Sequence, residues 1–210
     1  MKPLVMVGAG QAALPRIIAE AAAAGGAPLA GYLDVGPQPP APATPLTRLG
    51  DEERLQDPAF LAAFDLAVAV QGPARRMLCE RLLGIGAGLP VVRHPSAVVS
   101  ATAVIGAGTV LSAGAIVQSD ARVGRFCVLN TACSVDHDNV VGDYVSFGPG
   151  SHTAGRVTVL EGSFIGLGAL IINGVTVGPR ATVGAGAVVV RDVAEGTTVV
   201  GNPARVLARG

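Results

Sequence analysis

Apolar residues recur every sixth position from Val99 to Val189 without a slip of register. The series runs Val99, Ile105, Leu111, Val117, Val123, Leu129, Val135, Val141, Phe147, Thr153, Val159, Ile165, Ile171, Val177, Val183 and Val189, and only Thr153 is not clearly apolar. The next residue is often glycine, as at Gly106, Gly124, Gly142, Gly148, Gly166, Gly178 and Gly184. Four residues after each member the side chain is small or modest, as at Thr109, Ala115, Cys127, Cys133, Ser151 and Ala169. A period of six matches neither an α-helix nor an alternating strand. It predicts a hexapeptide parallel β-helix, three short faces making one triangular coil of about 18 residues. The apolar residue points inward, the small one fits beside it, and glycine is expected to supply the corner conformation.

The first 95 residues follow another rhythm. A strand at Pro3–Val7 is followed by Gly8-Ala9-Gly10-Gln11-Ala12-Ala13 and an Ala-rich helix to about Ala24. Further strands are expected at Leu29–Leu33, Asp65–Val70 and Leu89–Val92. Helical stretches are expected at 51–64, interrupted by Pro58, and at 73–83, with proline in the first turn. Five prolines between Gly36 and Pro45 mark a loop. Strands alternating with helices predict a small parallel sheet. The expected fold class is therefore an α/β, Rossmann-like N-terminal domain (1–95) plus an all-β, left-handed parallel β-helix (96–192), with a C-terminal tail at 193–210.

Composition narrows the function. Fifteen basic and fifteen acidic residues give a net charge of zero, so nothing favours nucleic acid or an anionic membrane surface. No segment approaches a transmembrane span, and the N-terminus lacks a signal-peptide pattern, so a cytoplasmic protein is expected. Three scattered cysteines suit neither a disulfide framework nor a zinc site, and Cys127 and Cys133 read as core filler. The three histidines, His94, His137 and His152, are too dispersed to converge on a metal, and no metal is expected.

Two clusters carry candidate chemistry. The turn Gly8-x-Gly10-x-x-Ala13, after a strand and before a helix, suits a phosphate close to the backbone. Asp34 ends the second strand, where a carboxylate can accept from a ribose or sugar hydroxyl. Arg75 and Arg76, opening a helix, suit a phosphate or a solvated face equally. In the repeats, Asn130, Asp136, His137, Asp138 and Asn139 form a polar group. His137 is off the inward series with a carboxylate on each side, the arrangement of a general base whose tautomer a carboxylate fixes. Either Asp136 or Asp138 can serve.

The whole chain resembles the sialic acid O-acetyltransferase and nucleotide-aminosugar N-acetyltransferase family. The resemblance rests on Val7-Gly8-Ala9-Gly10, Gly31-Tyr32-Leu33-Asp34, His94-Pro95-Ser96-Ala97, Asn130-Thr131, Val135-Asp136-His137-Asp138, Val141-Gly142-Asp143-Tyr144, Ala154-Gly155 and Val200-Gly201-Asn202-Pro203-Ala204-Arg205. It implies a homotrimer binding acetyl-CoA between neighbouring β-helices. His137 would be the base, Asp138 its carboxylate, and acetyl would pass directly to an amine or hydroxyl of a nucleotide-linked sugar. Gly155, one coil after His137, would offer its N–H to the cofactor or the developing oxyanion. Leu167 and Ala185 match positions that line the cofactor groove, and Ser146 stands at a further cofactor position. Gly8, Gly10 and Asp34 match the sugar-nucleotide site, and Gln11, Gln71 and Asn130 stand at further positions assigned to it. The chain departs from the family pattern at Gln11-Ala12, at Ser146 where histidine is common, and at Gln71-Gly72-Pro73. Two other functions remain open: a small-molecule O-acyltransferase of the amino-acid type, and a non-catalytic trimer that binds a nucleotide sugar.

Overall fold

The computed structural model describes residues 2–8, 13–36, 46–70 and 74–207. The chain divides into two compact units, 1–94 and 95–210.

In the first unit, β1 (Leu4–Val7) is buried along its whole length, as a central strand should be. It is flanked by β2 (Leu29–Asp34) and β4 (Asp65–Val68), and β3 (Arg48–Asp51) adds to β2. All pairs are parallel, in the order β3-β2-β1-β4. Helix α1 (Ala13–Ala24) buries Leu14, Ile18, Ala21 and Ala22, one stripe at helical spacing. The stretch 51–64 splits where Pro58 requires it. Asp51 caps a 3-10 turn (Glu52–Gln56), and Asp57 caps α2 (Pro58–Ala63), accepting from the Ala59 N–H at 2.9 Å. Helix α3 (Ala74–Gly84) follows β4 and packs on it.

One expectation fails. The fourth strand of this sheet is not 89–92 but β3. The hydrophobic run Leu89–Val92 yields only a two-residue strand, β5 (Val92–Arg93), which does not join this sheet. Arg48-Leu49-Gly50-Asp51 gives no strand signal because an exposed edge strand needs neither alternation nor β-branched residues.

The second unit is a stack of sixteen two-residue strands. β6 is Val98–Val99, β7 Val104–Ile105 and β8 Val110–Leu111; each later strand falls six residues on, ending with β21 at Val188–Val189. Strands pair in parallel with those 18 residues away, Arg122 with Val140 and Phe164 with Thr182. Three faces result. The first contains β6, β9, β12, β15, β18 and β21; the second β7, β10, β13, β16 and β19; the third β8, β11, β14, β17 and β20. From Leu111 to Val189 every residue of the inward series is buried. The small residues four places later are buried with them, including Cys127, which donates to the Gly142 carbonyl, and Cys133. Burial pushes the Cys133 thiol up to about 12, which suits packing and not nucleophilic chemistry.

The coil shortens at its end. β22 (Thr198–Val200) pairs Val199 with Val183, 16 residues back, and β23 (Arg205–Val206) folds antiparallel against β22. Val193 bridges Val177 of the second face, and β22 and β23 extend the third. No helix among the described residues is long and apolar enough to cross a membrane.

The glycines that follow the inward residues have a different purpose from the one expected. None takes a left-handed conformation; that falls two residues later, on Gly174 (φ +72°), but also on Ala132 (φ +54°) and Asp138 (φ +59°). The early glycines are needed because successive coils approach closely. A Cβ at Gly142 would lie 2.7 Å from the Glu161 nitrogen, and one at Gly166 would lie 2.7 Å from that of Ala185. Gly142→Ala is therefore expected to cost about 1–3 kcal/mol, since rigid backbone must move. Gly174→Ala, where nothing lies within 4 Å, meets only left-handed strain of about 1 kcal/mol. Urea melts of the two variants compare them; equal losses would disprove the close-approach account.

Candidate active site

The turn between β12 (Ser134–Val135) and β13 (Val140–Val141) carries Asp136, His137 and Asp138 at one corner of the prism. Left-handed backbone at Asp138 brings its carboxylate back toward the preceding ring: His137 Nδ1 and Asp138 Oδ2 are 2.8 Å apart. Asp136 Oδ1 instead accepts the backbone N–H of His137 at 2.7 Å. The two carboxylates thus divide the work, Asp136 fixing the main chain and Asp138 the ring. An ionised carboxylate only accepts, so it places the ring hydrogen on Nδ1 and leaves the Nε2 lone pair available. About half of each side chain of the dyad is exposed, 46% for His137 and 52% for Asp138, so a substrate can reach it.

Gly155 lies one coil on, in the turn between β15 (His152–Thr153) and β16 (Thr158–Val159). A Cβ on Gly155 would run into Cε1 and Nε2 of His137, so the imidazole sits directly on the glycine. The Gly155 N–H has no acceptor among the described residues. A base with a bare amide beside it is an arrangement suited to acyl transfer.

Other expected residues lie elsewhere on the prism. Asn130 (after β11, Val128–Leu129), Leu167 (after β17, Phe164–Ile165) and Ala185 (after β20, Thr182–Val183) share the corner between the third and first faces. His137, Asp138 and Gly155 occupy the corner between the first and second. Asn130 Oδ1 accepts the Thr131 N–H at 2.8 Å. Leu167 is a large apolar side chain left 59% exposed, and Ala185 is exposed beside it. Ser146 is on the third face, in register between Val128 and Phe164. A single chain therefore does not gather these groups into one pocket.

His152 lies on the flat first face and shares a 2.8 Å hydrogen bond with Ser134 Oγ. Among the described residues no group of three His, Cys, Asp or Glu could hold a metal ion.

In the first unit, Gly8 and Asp34 come together at the carboxyl end of the parallel sheet, where ligands of such sheets bind. Gly8 has φ +82°, and a Cβ there would lie 2.5 Å from Val70 Cγ2, so both conformation and space demand glycine. Asp34 is not simply open to a ligand. Its Oδ2 accepts from Arg48 Nε at 2.5 Å, and this carboxylate pushes the guanidinium pKa up. Arg48 carries no sequence signal because β3, the strand that holds it, is an exposed edge without apolar alternation. Gly10, Gln11 and Gln71 lie outside the described residues.

No protein-family model matches the chain. The GDP-perosamine N-acetyltransferase of Escherichia coli O157:H7 is 36% identical to it over 160 residues, covering 74% of this chain and 72% of the relative. The chain belongs to the nucleotide-aminosugar N-acetyltransferase family of hexapeptide-repeat acyltransferases. Two structures of family members superpose along nearly their whole length. The acetyltransferase domain of PglB from Neisseria gonorrhoeae, in complex with acetyl coenzyme A, has a TM-score of 0.88 and 36% identity, covering 98% of this chain and 99% of that one. PerB from Caulobacter crescentus, in complex with CoA and GDP-perosamine, has a TM-score of 0.88 and 33% identity, covering 99% of this chain and 98% of that one.

Proposed function

We propose that this protein transfers the acetyl group of acetyl-CoA to the amine of a nucleotide-linked amino sugar, with His137 as general base. The observation that carries the proposal is the His137–Asp138 pair seated on Gly155 at an exposed corner. Nε2 accepts a proton from the amine as its nitrogen attacks the thioester carbonyl. The C–N bond forms, the C–S bond breaks, and the proton passes to the departing thiolate. Asp138 holds the tautomer and stabilises the imidazolium formed on the way. The Gly155 N–H is assigned to acetyl-CoA or to the oxyanion that develops from its carbonyl.

Leu167 and Ala185 are assigned to the pantetheine arm, for which an exposed apolar side chain beside a small one is suited, and Ser146 to a polar contact with acetyl-CoA. Leu167, Ala185 and Asn130 sit at a different corner from His137, and Ser146 on the third face, so we infer a site built between neighbouring copies of a left-handed β-helix in a homotrimer. We assign residues 1–95 as a Rossmann-like domain for the sugar nucleotide, with Gly8, Gly10, Gln11, Asp34 and Gln71 around it and Asn130 near the acceptor. Residues 96–192 are assigned to acetyl transfer. Three free, buried cysteines and a requirement for acetyl-CoA fit a cytoplasmic location.

The test is CoA release from acetyl-CoA against GDP-, UDP- and dTDP-linked 4-amino sugars, free sialic acids and serine. Turnover with an amino sugar is expected. Turnover confined to hydroxyl acceptors would move the enzyme to O-acetylation, and silence with every acceptor would overturn the proposal. Light scattering checks the trimer; a monomer that retains full turnover would disprove the shared site.

A further inference from the structure

Thr153 is the one residue of the inward series that is not apolar, and it lies directly before the turn that seats His137. Valine would fill the same inward position, as it does at Val135 in the same face, so space alone does not explain the hydroxyl. Every hydrogen-bonding capacity of that hydroxyl is used. Oγ1 donates to the Ser134 carbonyl at 3.3 Å and accepts from the Asp136 N–H at 3.2 Å and from Asn139 Nδ2 at 2.5 Å. A hydroxyl has one donor and two lone pairs, and here all three are satisfied. All three partners belong to 134–139, the segment that carries His137.

Asn139 completes the connection. It occupies a position filled in the three preceding hexapeptides by Ala121, Cys127 and Cys133, and it is fully buried. Its Oδ1 accepts the Val157 N–H at 2.7 Å, which ties the segment to the next coil, where Gly155 lies. The Arg156 N–H donates to the His137 carbonyl at 3.0 Å from that same turn. One buried network thus fixes the stem of the imidazole at 136–138 and the glycine on which it rests.

We propose that Thr153 and Asn139 are positioning residues for the His137 base, an inference that rests on the acetyl-transfer reading above. Their hydrogen bonds hold the turn at the height where Nε2 lies over Gly155 while Nδ1 meets Asp138. Buried networks of this kind define one arrangement when fully satisfied, and small displacements of a base are costly in rate.

The test compares Thr153→Val, Thr153→Ser and Asn139→Cys with the native protein, Cys being the residue that the two preceding hexapeptides already use. Thr153→Val and Asn139→Cys are expected to lower kcat tenfold or more while leaving KM for acetyl-CoA and for the amino sugar within twofold. Thr153→Ser keeps the hydroxyl and is expected to stay within threefold of native kcat. In NMR spectra of the imidazole carbons, the His137 resonances are expected to move in Thr153→Val while those of His94 stay in place. Unchanged kcat in both polar-deleting variants, or an equal loss in Thr153→Ser, would overturn the proposal. So would a fall in kcat matched by a fall in the folded, assembled fraction. The NMR comparison needs no turnover. If the native protein acetylates no acceptor, the reaction assignment falls, and the movement or constancy of His137 alone decides this inference.

Discussion

His137→Ala is expected to reduce acetyl transfer to a nucleotide-linked amino sugar by on the order of 100- to 10,000-fold, the range a positioned general base supplies. The loss should fall on kcat. The imidazole is half exposed, and no buried group uses its ring nitrogens, since Nδ1 meets only the exposed Asp138. Removing it opens no core cavity, so the melting temperature and the oligomeric state are expected to remain native. Binding of acetyl-CoA, measured by calorimetry, should stay within twofold because the base meets the acceptor amine and not the body of the coenzyme. Tenfold or smaller loss of kcat would remove His137 from the role of base. A non-catalytic sugar-nucleotide binder would show no difference at all, because it has no turnover to lose.

The repeat was legible in the sequence because each coil imposes the same requirement on the same position. A prism with one residue in its interior at each strand must repeat its apolar residue, and the repetition reveals the fold. The meaning of the glycines was not legible. Gly142 and Ala132 both sit at special backbone sites, but a close neighbour at the first and a left-handed turn at the second emerge only once the coils stack. The choice between Asp136 and Asp138 was likewise open, since both flank His137. It depends on φ at Asp138, which turns that carboxylate back to Nδ1. Asp34 was visible at the end of its strand, but its partner Arg48 was not, because β3 is an exposed edge without apolar alternation. Thr153 was visible as a break in the series. That it anchors three groups of the His137 segment follows only from the fold.

Gly155→Ala is expected to lower kcat by about 100-fold, because displacing a catalytic group by about 1 Å has effects of that order. The argument is steric. The added methyl would occupy the space held by Cε1 and Nε2 of His137, and the ring must swing away. It has room to do so toward solvent, so the fold absorbs the change and the melting temperature is expected to shift little. Gly155 is not among the residues with left-handed backbone, so alanine meets no conformational strain there. The alanine variant also retains its backbone N–H. A loss of rate with the amide still present therefore reports the seat of the base and not the removal of an oxyanion donor. The His137 imidazole resonances should move in the same variant, which links the kinetic loss to the ring. If Gly155→Ala keeps kcat within threefold of native, the ring does not need that seat, and the coil-to-coil stacking of His137 on Gly155 has no part in catalysis.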